Sequence, residues 1–170
     1  MTDNTKTQEN VGQMTRRPIR SIREALSFRI ARMAAINERA GGQHFKSEFD
    51  LTLMEWRILG LTAAMQPVSF AELRDILLVD KGLLSRTIKA LVARGLIDTR
   101  KLKSDARQIE LLITPVGTSL HDNVLEFTIE RNAAMAAVLT DQEWAAFDQA
   151  LDKLLEHNQN ILIGKDADHG

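Results

Sequence analysis

The sequence predicts a mainly α-helical chain with one small β-hairpin, in the order of a winged helix-turn-helix. Three observations predict it. Helix-start signatures recur along nearly the whole chain, helical periodicity breaks at one place only, near residues 97–113, and basic residues concentrate on the elements around that break.

The elements follow in order. Residues 1–18 are polar and read as a disordered N-terminal tail, and residues 164–170 read as a matching C-terminal one. Ile22, Leu26, Ile30 and Met33 recur at spacings of four and three, which predicts a first amphipathic helix over about 19–39 with Gly41-Gly42 as its stop. Thr52-x-x-Glu55 opens a second helix running to about Met65, and Ser69-x-x-Glu72 opens a short third one to about Leu77. In both, the hydroxyl can accept from an orphan backbone N–H while the glutamate reaches back to the cap. Asp80 is placed to cap a fourth helix that ends near Arg94-Gly95. Residues 97–101 (IDTRK) and 108–113 (QIELLI) alternate and are rich in β-branched residues, so they read as the two strands of a hairpin with a charged tip between them. Thr114-Pro115 starts a fifth helix to about Leu139, and Thr140-x-x-Glu143 starts a long terminal one.

The chain of 170 residues has the composition of a globular protein, with 44% hydrophobic and 26% charged residues. Its formal charge of −1 would speak against a nucleic-acid partner. That total is a cancellation. Residues 80–107 hold eight basic and three acidic residues, a net of +5, whereas residues 108–170 hold three basic and eleven acidic ones, a net of −8. There is no cysteine, which excludes disulfides, thiolate metal sites and thiol-based sensing. No apolar run reaches the roughly 18 residues of a membrane span, and the N-terminus lacks the apolar core of a signal peptide, so a cytoplasmic location without membrane contact is expected.

The fourth helix carries the functional signal. Leu84, Ile88 and Leu91 share one face, and Lys81, Gly82, Ser85, Arg86 and Lys89 lie on the other. Small and donor-bearing side chains at the N-terminal end of such a helix suit base edges in a major groove. Arg86 can bond a guanine bidentately or clamp a phosphate, Ser85 can contact either, and Lys81 and Lys89 are flexible point charges suited to phosphates. A solvated basic helix face would show the same pattern. Around the hairpin, Arg100, Lys101, Lys103 and Arg107 could enter a narrow minor groove, with Asp105 orienting the Arg107 guanidinium or capping the turn. Charged hairpins also deter strand-to-strand aggregation.

The segment Asp105-x-Arg107-x-x-x-Leu111-x-Ile113-Thr114 resembles the wing signature of the multiple antibiotic resistance regulator (MarR) family, with Ile113 where leucine is usual. DKGLLSRTIKALVARGLI (Asp80–Ile97) resembles that family's recognition helix and the turn into its wing, and LTLMEWRIL (Leu51–Leu59) and SFAELRDIL (Ser69–Leu77) resemble its two preceding helices. The resemblance covers about residues 20–163. It implies a homodimeric transcription factor, more often a repressor, whose two lobes each read half of a palindromic operator in double-stranded DNA. It assigns residues 49–113 to the DNA-binding lobe and residues 19–48 and 114–163 to a helical dimerisation region. The apolar stripe Trp144, Phe147, Leu151, Leu154, Ile161 and Leu162 on the last helix independently favours pairing with a second copy, although packing within the chain accounts for part of it.

The resemblance further implies release from DNA by a small anionic or aromatic ligand, such as an aromatic carboxylate. Candidate contacts are Arg16, Arg17, Arg20, His44, Trp56 and Arg57: an arginine to clamp a carboxylate, and Trp56 to wall a ring unless it is core. No metal or cofactor is expected, because His44, His121, His157 and His169 are scattered with no i, i+4 pair. Enzymatic function has no support, there being no Gly-rich phosphate loop, nucleophile elbow or His–Glu metal pair. The remaining rival is a winged-helix module that binds protein without binding DNA.

Overall fold

In the computed structural model, residues 18–101 and 109–164 are described. The chain forms two compact units, one up to His44 and one from Phe45 onward. The elements are a 3-10 turn Ile22–Glu24, α1 Leu26–Phe49, α2 Leu53–Met65, β1 Val68–Ser69, α3 Phe70–Leu77, α4 Lys81–Ala93, β2 Ile97–Lys101, β3 Ile109–Ile113, α5 Pro115–Ala136 and α6 Asp141–Leu162.

Local chemistry explains most boundaries. All three hydroxyl–glutamate pairs form reciprocal capping boxes, with Thr52, Ser69 and Thr140 accepting from the backbone N–H of Glu55, Glu72 and Glu143. The Asp80 carboxylate accepts from Leu83 N–H at 2.8 Å. Thr114 caps α5 by accepting from Gly117 N–H at 2.9 Å, with Pro115 in the first helical turn. The end of α4 is a Schellman motif: Gly95 takes the left-handed conformation (φ 66°), its N–H bonds the Val92 carbonyl at 2.9 Å, and Leu96 N–H bonds the Leu91 carbonyl at 3.0 Å.

Two expectations need correction. Gly41-Gly42 does not stop the first helix; α1 runs through both glycines to Phe49. A mid-helix glycine costs only about 1 kcal/mol relative to alanine, which a 24-residue helix absorbs. The stop comes at Asp50, which adopts φ 50°, and Leu51 N–H returns to the Phe45 carbonyl at 3.1 Å. At its other end the regular helix starts at Leu26, after the short 3-10 turn. The hairpin is also not alone. β1 adds a third strand, giving the antiparallel order β1-β3-β2, with Val68 opposite Leu111 and Ile97 opposite Ile113.

The core of the second unit is built from Phe45, Leu51, Ile58, Leu59, Val68, Leu73, Leu84, Ile88, Leu91, Leu96, Ile97, Leu111 and Val124. The predicted inward face of α4 supplies three of these. At its edge lies an aromatic group in which Phe45 stacks on Trp56 (centroids 6.2 Å apart) and meets Phe127 edge-on at 5.4 Å. In the first unit, Ile22, Leu26, Ile30 and Met33 are all exposed. No helix among the described residues is long and apolar enough to cross a membrane.

Candidate nucleic-acid interface

The core fixes which way α4 faces. With Leu84 and Leu91 fully buried and Ile88 nearly so, Lys81, Gly82, Arg86 and Lys89 are exposed and Ser85 is half-buried. Gly82 keeps the first turn open. A Cβ there would lie 3.1 Å from the Asp80 Oδ1 that caps the helix and 3.4 Å from an Arg86 terminal nitrogen. The Arg86 guanidinium thus lies across the bare first turn of α4, and the five residues picked out in the sequence come together as one basic, small-side-chained surface.

The wing is more balanced in charge. Arg100 and Glu110 face each other in the β2–β3 register, and the Arg100 Nε–H donates to Glu110 Oε2 at 2.7 Å. Arg100 therefore carries a compensating carboxylate, a pairing that depends on the strand register and has no local signal in the sequence. Lys101, the last described residue of β2, is exposed. Lys103, Asp105 and Arg107 lie outside the described residues.

The residues proposed for a ligand site are dispersed among elements. Arg16 and Arg17 lie outside the described residues. Arg20 is exposed before the 3-10 turn, its backbone N–H donating to Glu24 Oε2 at 2.9 Å, and His44 is exposed on α1. On α2, Arg57 is exposed, whereas Trp56 is half-buried, stacked on Phe45 and 5.5 Å from the His121 ring. Packing thus sets Trp56 beside two other rings. His121 Nδ1 also lies 2.9 Å from Asp122 Oδ1. No group of three metal-ligating side chains occurs among the described residues.

One further cluster went unnoticed in the sequence. Arg94, the C-cap of α4, places one terminal nitrogen 3.5 Å from Glu55 Oε1 and the other 3.6 Å from Asp50 Oδ2. Asp50 is also paired with Lys46. The Lys46 hydrogen bond and charge, and then the Arg94 charge, hold the Asp50 carboxyl below the usual aspartate range.

Residues 49–108, spanning α2 to the wing, match the MarR family model. This segment is similar to the winged helix of the MarR family. No match to a curated protein sequence is found. Among solved structures, an uncharacterised SlyA-like transcription regulator from Listeria monocytogenes is 24% identical with a TM-score of 0.73, covering 83% of this chain and 95% of its own. The S. aureus MepR–DNA complex is 17% identical with a TM-score of 0.70, covering 78% of this chain and 98% of its own. A mutant MarR from E. coli complexed with operator DNA is 22% identical with a TM-score of 0.68, covering 76% and 93%. These likenesses carry the MarR fold well beyond the matched segment.

Proposed function

We propose that the chain is a MarR-type transcriptional regulator that binds a palindromic operator in double-stranded DNA as a homodimer, in the cytoplasm and without enzymatic activity. The observation that carries this reading is the α4 surface: Lys81, Gly82, Arg86 and Lys89 exposed opposite a fully packed apolar face, with Ser85 at its margin. Gly82 and Ser85 allow close approach to base edges, Arg86 supplies a bidentate donor, and the lysines neutralise phosphates. The MepR and E. coli MarR structures, solved with DNA, favour a DNA partner for this fold.

The homodimer rests on apolar faces that each unit leaves uncovered. In the first unit Ile22, Leu26 and Met33 are exposed, and on α6 Phe147, Leu155, Ile161 and Leu162 recur along one face in water. Repression follows as the simplest use of an operator-bound dimer. An anionic or aromatic effector completes the reading, its carboxylate taken by an arginine such as the exposed Arg20 or, alternatively, Arg57. It acts by binding the DNA-free arrangement more tightly than the DNA-bound one.

A gel-shift screen of the intergenic DNA upstream of the protein's own gene tests this reading. A discrete shifted band is expected, weakened when benzoate-type acids are added to the same lanes. Absence of any shifted duplex contradicts the reading and leaves the protein-binding winged helix in its place.

A further inference from the structure

The Arg94 cluster has no part in contacting DNA in the reading above, yet it joins three elements at the root of α4. Arg94 follows the last turn of the recognition helix and precedes the Gly95 elbow into β2, so its side chain leaves the point where helix and wing diverge. Both acids it reaches are held by other bonds. Glu55 has its Oε2 occupied by Thr52 N–H at 2.7 Å and Thr52 Oγ1 at 2.9 Å, leaving Oε1 toward Arg94, and its side chain is only 12% exposed. Asp50 sits in the left-handed conformation that ends α1 and is paired with Lys46. A cation anchored to an acid already fixed by its capping box restricts the root of α4 more than a free surface pair would, because Glu55 gives up little further rotamer freedom to meet it, and the more exposed Asp50 adds a second contact.

We infer that Arg94 is a positioning residue for DNA recognition: through Glu55 and Asp50 it holds the C-terminal end of α4 and the start of the wing against the α1–α2 junction. This rests on the DNA-binding reading. Specific binding needs α4 and wing aligned together, whereas non-specific binding needs only charge, so loss of Arg94 separates the two.

Charge sign makes the test decisive. Removing an acid near DNA strengthens binding if only electrostatics matter, while the positioning role predicts the opposite. The probes are a duplex selected from a random-sequence pool by the wild-type protein and an unrelated duplex of equal length. Arg94→Gln, Glu55→Gln (which keeps the capping box) and Asp50→Asn are compared with wild type, at a temperature where circular dichroism finds all four folded. Each variant is expected to lose about three- to tenfold in affinity for the selected duplex, with unchanged affinity for the unrelated one. The salt dependence of Arg94→Gln on the selected duplex should match wild type. A slope shallower by about 0.9 would make Arg94 a phosphate contact and overturn the inference. Equal or tighter binding by Glu55→Gln and Asp50→Asn would overturn it as well. A wild-type chain that selects no duplex overturns the DNA reading itself, whereas wild-type binding that the variants reproduce overturns the positioning role alone.

Discussion

Gly117 lies against the backbone of Leu96 so closely that a Cβ on it would fall 1.9 Å from the Leu96 carbonyl oxygen and 2.9 Å from Ile113 Cγ1. The first turn of α5 thus seats on the strand-entry turn after α4, with no room for any side chain. The offending atom is backbone, so relief requires moving an element. Gly117→Ala should lower stability by about 1–3 kcal/mol or more in spite of its better helix propensity. Chemical denaturation checks this, and a stability equal to wild type would contradict the contact.

Thr114 fastens the same joint by hydrogen bonds. Its hydroxyl accepts from Gly117 N–H at 2.9 Å and donates to the Gly95 carbonyl at 2.7 Å. Thr114→Val removes both at almost constant volume and should cost about 1–2 kcal/mol, while Thr114→Ser, which keeps the hydroxyl, should retain most of the stability. Equal losses in the two variants would assign the effect to the methyl group instead.

The exposed stripe of α6 should be the seam of a dimer. Leu155→Glu places a charge in the middle of that stripe without removing a core residue, since Leu155 is 53% exposed in the chain alone. Light scattering is expected to give twice the chain mass for wild type and the single-chain mass for Leu155→Glu, with helical content retained. A monomeric wild type would remove the basis for two half-sites.

Acid should loosen the fold through three carboxylates. Hydrogen bonds from the Ser69 side chain and then its backbone lower the Glu72 carboxyl, those from the Thr140 backbone and then its side chain lower Glu143, and Lys46 followed by Arg94 lowers Asp50. Each folded-state value lies below its unfolded one, so the folded state holds fewer protons. The stabilisation is therefore complete above the ordinary carboxylate range and is lost as pH falls through it toward the folded values. Melting temperatures between about pH 6 and pH 3 should fall less steeply in a Glu72→Gln, Glu143→Gln, Asp50→Asn triple variant. Parallel acid limbs would show that other groups carry the loss.

How much of this was legible in the sequence depends on how local the cause is. The three capping boxes, the Asp80 cap, the Gly95 stop and the inward face of α4 each follow from residues within a few positions of one another, and each formed as the spacing predicts. Gly41-Gly42 misled because glycine only weakens a helix, while the actual stop depends on the left-handed Asp50. β1 was invisible because two residues have no period; Val68 and Ser69 become a strand only through pairing with Leu111 and Glu110. The basic face of α4 was readable as a set. The Arg100–Glu110 pair requires the register of the hairpin, and the Arg94 cluster joins positions about 40 residues apart in sequence, so neither leaves a local signal.

The most direct test of the central claim is a salt titration of duplex affinity by wild type and by Arg86→Ala. Wild-type affinity for the selected duplex should fall steeply and linearly in log–log form between about 50 and 200 mM salt. Arg86→Ala should lose about 1–3 kcal/mol on the selected duplex and much less on an unrelated one, as expected of a base contact. Salt-independent binding, or an Arg86→Ala variant indistinguishable from wild type on both duplexes, would contradict the assignment of α4 as the DNA-reading helix.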